Sequence, residues 1–214
     1  MLKYFQGSDC MPTILVTGFA PFDQEIINPS FEAIKLLNDQ IGDARIFKLE
    51  IPTVFTESAQ YLINQITEIN PDIVLMFGQA GGRKSISIER IAINIDDALI
   101  PDNNGNKPID SLIDIHGNVA YFATIPIKSI FNKLNEYGMP VSISNTAGTY
   151  VCNHLMYRVL QYISLKQMKT IAGFIHVPYI HQQTIGKGDV FSMSLDEIVE
   201  SMKLIIQAIL EENR

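Results

Sequence analysis

Short apolar runs alternate with helix-spaced apolar positions along this chain. Thr13-Ile-Leu-Val-Thr17, ending at Gly18, reads as a buried parallel strand. Asn28-Pro29-Ser30 opens a helix with Phe31, Ile34, Leu37 and Ile41 on one face and Gly42 after its end. Arg45–Ile51 has strand character. Thr56–Asn70 is helical, with Leu62, Ile66 and Ile69 apolar, and stops before Pro71. Asp72–Phe77 is another buried strand and runs into Gly78-Gln-Ala-Gly-Gly82. A helix over Lys128–Tyr137, a strand over Val141–Ser144, a helix from about Thr149 to about Leu165 and a strand over Thr170–Val177 follow. Ser194-Leu-Asp-Glu197 is a capping box heading a final amphipathic helix to about Leu210. This alternation predicts an α/β fold with a mostly parallel sheet covered on both faces.

Ligands in such folds gather at the carboxyl ends of strands. Here those ends carry Gly18-Phe19, Gly78-Gln79, Asn145-Thr146 and His176. One segment breaks the strand rhythm. Apolar residues sit at 86 and 88, then at 91, 93 and 95, so the two sets face opposite ways unless the chain kinks or bulges at Glu89-Arg90. Bulges are common beside active sites, which makes Glu89 the carboxylate to follow. Its plainer reading is a solvated edge residue or a partner for Arg90.

Composition narrows the function. With 214 residues, 47% of them hydrophobic, the chain suits one substantial core, and no linker or repeat divides it. A net charge of −7, without a basic run, argues against nucleic acid or an anionic membrane as partner. No stretch approaches the roughly 18 apolar residues of a membrane helix, and the N-terminus has no secretory apolar core. Two cysteines, Cys10 and Cys152, form no framework and suit a reducing, cytoplasmic compartment. A Cys10–Cys152 disulfide is the less favoured alternative. No metal motif is present.

Cys152 falls in the first turn or so of its predicted helix, where free N–H groups and the positive end of the dipole favour a thiolate. A lone cysteine is otherwise a small buried hydrophobe. His176, at the end of an apolar strand, lies 24 residues later, enough for a helix and a return strand to bring it back beside Cys152. A thiol nucleophile needs such an imidazole, and the imidazole needs a third group to fix its tautomer; Glu89 can supply it. The competing reading of His176 is a satisfied core histidine. His154, two residues from Cys152, should point away as a structural residue, and His116 and His181 read as loop residues. Asp102-Asn-Asn-Gly-Asn106 reads as a turn rather than a calcium loop, and the Gly78–Gly82 stretch as a place where backbone approaches a small ligand.

Several segments together resemble one family, pyroglutamyl peptidase I. They are Thr17-Gly-Phe-Ala-Pro-Phe22 with Asn28-Pro-Ser30, Gly78-Gln-Ala-Gly-Gly-Arg83, Glu89-Arg-Ile-Ala-Ile-Asn-Ile-Asp-Asp-Ala98 with Ile100-Pro-Asp-Asn103, Ser144–His154, and Phe174-Ile-His-Val-Pro-Tyr179. The resemblance implies a three-layer α/β/α sandwich, with a mostly parallel, partly mixed central sheet, that removes N-terminal pyroglutamyl residues from peptides. Cys152 would be nucleophile, His176 general acid/base and Glu89 its orienting group. Phe19 and Phe22 would flank the lactam ring, with Gln79 near the pocket and Tyr150 and Val151 in its wall. It also implies no cofactor and a homo-oligomer, tetramer or dimer. Residues 1–12 are expected to be an N-terminal extension, the first ten of them dispensable, and 13–214 a single catalytic domain.

The chain departs from the pattern at Leu99, where the family usually has arginine. If that arginine stabilises transition-state charge, its loss costs on the order of 10²–10³ in rate. The alternative reading is therefore a weakened relative that binds pyroglutamyl peptides without efficient turnover. A phosphorylase of similar architecture would need an arginine cluster, and only Arg83 and Arg90 fall near the proposed site. Ile180-His181-Gln182 also replaces a leucine-proline-glutamate-like run, so the pocket rim is expected to differ.

Overall fold

The computed structural model describes residues 11–212. Residues 1–10 of the expected N-terminal extension over 1–12, with Cys10, lie outside them. In chain order the elements begin with β1 (Thr13–Phe19), α1 (Pro29–Lys35), β2 (Gln40–Ile41), β3 (Ala44–Ile51), α2 (Phe55–Ile69) and β4 (Ile73–Gln79). Next come β5 (Ile86–Glu89), β6 (Ile91–Ile93), β7 (Ala120–Phe122), α3 (Ile127–Glu136) and β8 (Val141–Ser144). The last are α4 (Val151–Leu165), β9 (Ile171–Val177), β10 (Tyr179–Ile180), β11 (Ser192–Met193) and α5 (Leu195–Glu212).

Seven strands form the central sheet in the order β2-β3-β1-β4-β9-β5-β8. β3, β1, β4 and β9 are mutually parallel, whereas β5 runs antiparallel to β9 and parallel to β8. Alternate side chains of each strand enter two separate cores. Ile14, Val16, Leu75, Phe77, Ile88 and Ile175 pack against α1, α3 and α5. Leu15, Val74, Met76, Ala172 and Phe174 pack against α2 and α4 on the other face. The result is the expected three-layer α/β/α sandwich with a partly mixed sheet. At its start the Pro12 carbonyl accepts from Arg45 N–H, and Thr13 N–H donates to Asp72.

Most elements fall within a residue or two of their predicted positions. The Ser194–Glu197 capping box is formed by reciprocal bonds of 2.7 and 3.1 Å. Three expectations need correction. The first helix ends at Lys35 rather than near Ile41, because Gly42 (φ 60°) turns β2 back onto β3. Leu37 and Ile41 still reach the core that Ile34 occupies, so helical spacing survived without the helix.

The parity break at Glu89-Arg90 is not a bulge within one strand. β5 belongs to the main sheet, and after Arg90 the chain leaves it to pair β6 with β7. Finally, β8 runs opposite to β1, β4 and β9, so Asn145-Thr146 does not share their carboxyl edge. The chain climbs back from that end of β8 to start α4.

Candidate active site

Gly78 and His176 are register partners on the neighbouring parallel strands β4 and β9. Both point to the face covered by α4. Cys152, the second residue of α4, is half-buried and sits directly above them. A Cβ added to Gly78 would lie 3.0 Å from Cys152 Sγ and 2.8 Å from the Phe174 ring, which is why only glycine lets the thiol settle against the sheet. Strand spacing then sets His176 one strand, about 4.8 Å, to the side.

Glu89 arrives from the antiparallel side. It opposes Phe174, two residues before His176, so carboxylate and imidazole meet as a diagonal cross-strand pair. His176 Nδ1 lies 2.7 Å from Glu89 Oε1, with the two residues 3% and 0% exposed. Arg83 Nη1 donates to that same Oε1, while Nη2 donates to the Thr146 carbonyl at 3.1 Å. Burial pushes the Glu89 carboxyl up, but the hydrogen bond and charge of His176, with help from Arg83, hold it below its ordinary range. Burial also takes His176 below its ordinary value, against the pull of Glu89.

The thiol behaves otherwise than its helix position suggests. Burial and the Glu89 charge push Cys152 up to about 12, against the opposing effect of Arg83. Burial thus works against the helix position, which by itself favours the thiolate. With Nδ1 engaged by Glu89, the Nε2 of His176 is the ring nitrogen not held by that carboxylate.

A cluster of aromatics borders this group. Phe19 is almost fully buried, 6.3 Å from Phe174, whose ring is in turn 4.8 Å from that of His176. Phe22 is half-buried and faces Tyr150 at 6.1 Å. The Tyr150 hydroxyl donates to the Pro101 carbonyl; burial, then Asp102, push it up to about 12, keeping it protonated. The loop carrying Phe19 and Phe22 is pinned at several points. Ser30 Oγ accepts from Phe19 N–H, Asn28 and Thr53 donate to Ala20, and Asn103 donates to Pro21.

Val151, expected in the pocket wall, has its side chain fully buried in the core. Gln79 lies at the end of β4. By alternation its side chain turns to the opposite face of β4, where it accepts from Gln183 at 2.8 Å.

A family model for pyroglutamyl peptidase matches residues 12–212. A pyrrolidone-carboxylate peptidase 2 of Caldanaerobacter subterraneus subsp. tengcongensis is 54% identical, over 92% of this chain and 96% of the relative. The crystal structure of pyroglutamyl peptidase I from Bacillus amyloliquefaciens superposes with a TM-score of 0.90 at 43% identity, covering 94% of this chain and 95% of that one. A mutant pyrrolidone carboxyl peptidase from Pyrococcus furiosus gives 0.89 at 47% identity, covering 94% and 99%. The chain belongs to the pyroglutamyl peptidase family.

Within this pyroglutamyl peptidase chain, the predicted departures are now located. Leu99, where the resemblance leads one to expect arginine, is 92% exposed. Ile180 and His181 open a short parallel pair of β10 with β11 and a 3-10 turn over His181–Thr184, which delivers Gln183 to Gln79. His154 is structural as expected, its Nδ1 2.7 Å from Asp96 Oδ2. Asp102 is a turn residue that also caps α2, accepting from the N–H groups of Phe55, Asn104 and Asn106. Among the described residues no His/Cys/Asp/Glu group is arranged to hold a metal ion. Sequence reasoning gave no role to Arg83 or to the Phe174 ring. Their only signals were the arginine ending the glycine-rich stretch and an aromatic two positions before His176.

Proposed function

We propose that this chain hydrolyses the bond after an N-terminal pyroglutamyl residue, with Cys152 as nucleophile, His176 as general base and acid, and Glu89 as the group that orients His176. The observation that carries this reading is the half-buried thiol lying over Gly78, beside an imidazole whose other nitrogen is held by a fully buried carboxylate.

The chemistry follows from that arrangement. As the sulfur attacks the pyroglutamyl carbonyl carbon, its proton passes to His176 Nε2, and Glu89 stabilises the imidazolium. The carbonyl oxygen becomes an oxyanion. The first turn of α4 has no side-chain cap, leaving its N–H groups to stabilise that charge. Collapse breaks the C–N bond, and the proton on Nε2 goes to the departing amine. Water, deprotonated by His176, then attacks the thioester; the pyroglutamate leaves and the thiol is restored. Phe22 and Tyr150 offer a flat uncharged ring an apolar wall. A free α-amine or a glutamate side chain entering there would lose its hydration without a partner.

Residues 13–214 act as one catalytic domain in this reading, and the need for a free thiol favours a reducing, cytoplasmic compartment. No described helix is long and apolar enough to cross a membrane. The excursion between β6 and α3 exposes Ile109, Leu112, Ile115, Val119 and Phe122, an apolar set suited to a second copy of the chain. Light scattering behind size exclusion should therefore report a dimer or tetramer.

The deciding experiment is hydrolysis of a fluorogenic pyroglutamyl amide under reducing conditions. Wild type should turn over and Cys152→Ala should not. Folded wild type that binds the amide without cleaving it would favour the binding-only alternative.

A further inference from the structure

We propose that Arg83 is a positioning residue for this reaction: its guanidinium clamps Glu89 to the segment that delivers Cys152, fixing carboxylate, imidazole and thiol relative to one another. The proposal rests on the Cys152–His176–Glu89 reading.

Three features of the geometry carry it. First, both donors to Glu89 converge on one oxygen. His176 Nδ1 and Arg83 Nη1 share Oε1, while Oε2 is buried without a hydrogen-bond partner. Removing Arg83 takes away one of these two donors and leaves His176, with the neighbouring Ser144 hydroxyl, to orient the carboxylate.

Second, the second arm of Arg83 binds the Thr146 carbonyl at 3.1 Å. That carbonyl also accepts from Ser144 Oγ at 2.9 Å, and the segment leads directly into α4 and Cys152. One rigid fork thus ties β5 to the chain entering the nucleophile's helix.

Third, Arg83 is not a packing residue. Its side chain is 29% exposed and reaches in from the turn after β4, where its own N–H bonds Ala80. Removing the guanidinium opens no cavity in either core. The neighbouring cation, Arg90, is engaged elsewhere, with its Nε 2.8 Å from Asn145 Oδ1, and does not substitute for it.

The charge of Arg83 faces Glu89 from β5, His176 from β9 and Cys152 from α4. It favours the ionised carboxylate and disfavours the imidazolium. Its loss therefore raises the pKa of both Glu89 and His176, and both changes move the acid limb of kcat/KM toward higher pH.

The test compares Arg83→Gln and Arg83→Lys with wild type, measuring kcat, KM and the pH profile on a pyroglutamyl amide, with a urea melt of each variant. Arg83→Gln should lower kcat by about 10–100-fold with little change in KM, as expected for a misplaced catalytic group. It should also shift the acid limb up by about one pH unit. Arg83→Lys, with the charge but not the fork, should return the limb toward wild type while recovering only part of kcat. In a Glu89→Gln background, Arg83→Gln should cost almost nothing further. A wild-type acid limb in Arg83→Gln, or a full additional loss in the Glu89→Gln background, overturns the clamp. Cys152→Ala, run alongside, separates the two ideas. If it retains turnover, the triad reading itself fails; if it is inactive while Arg83→Gln matches wild type, only the clamp fails.

Discussion

Cys152 Sγ lies 3.0 Å from the point where a side chain on Gly78 would begin, so thiol and sheet are fitted to each other with no space for a methyl group. The contact is unforgiving because the Phe174 ring closes the other side at 2.8 Å. Gly78→Ala must therefore lift α4 or displace Phe174, and overpacking of this kind costs about 1–3 kcal/mol. A shift of the thiol by about 1 Å should reduce kcat by about 10²-fold. Urea unfolding and amide hydrolysis on the same preparation check both figures; a variant with unchanged kcat would contradict the placement of the thiol.

The pH response follows from the two shifted groups. In the proposed reaction His176 must be neutral to accept the thiol proton, and burial sets its pKa below the ordinary 6.5, so the acid limb of kcat/KM should lie below pH 6.5. Cys152, pushed up to about 12, should alkylate with iodoacetamide at a rate that keeps rising past the ordinary thiol value of about 8.5.

Stability carries matching signs. Below pH 6.5 the unfolded chain takes a proton that His176 resists when folded, so stability declines as pH falls through that value. Glu89 contributes fully above its ordinary 4.5, and its share is lost as pH falls through its lower folded value. Urea midpoints between about pH 7 and about pH 4 should fall steadily, and Glu89→Gln should flatten the acid end.

Asn153 bolts the first turn of α4 in place. Fully buried, it accepts from Ile93 N–H at 3.0 Å and donates to the carbonyls of Ile93 and Ile95 at 2.9 and 3.0 Å. Asn153→Ala leaves three backbone groups without these partners, which should cost about 2–4 kcal/mol. Activity measured well below the melting temperature should fall as well, because the neighbouring residue is Cys152.

Leu99→Arg tests the most conspicuous departure from the family pattern. With Leu99 92% exposed, the substitution should change stability by less than about 0.5 kcal/mol. We expect appreciable wild-type turnover and less than about a tenfold gain in the variant. A gain of about 10² or more, the value of one oxyanion donor, would identify wild type as the weakened relative.

Much of this enzyme was legible one residue at a time. Apolar runs marked β1, β4 and β9, the Ser194–Glu197 pattern marked the start of α5, and the turn before Cys152 placed it in a helix's first turn. These features depend on neighbours in sequence, through alternation, capping and turn preference. The combined motifs pointed to the family, and with it to Cys152, His176 and Glu89.

Direction, facing and charge state were decided only by the tertiary structure. Nothing local reveals that β5 and β8 run against β9, because strand direction depends on which distant strand supplies hydrogen bonds. That reversal moved Asn145-Thr146 away from the shared carboxyl edge and brought Glu89 diagonally across from His176. The alternation of β4 likewise turned Gln79 away from the thiol and left Gly78 beneath it. Proton balance was equally out of local reach. The helix position of Cys152 favours a thiolate, but burial by residues far apart in the chain, with the Glu89 charge, pushes the thiol up to about 12.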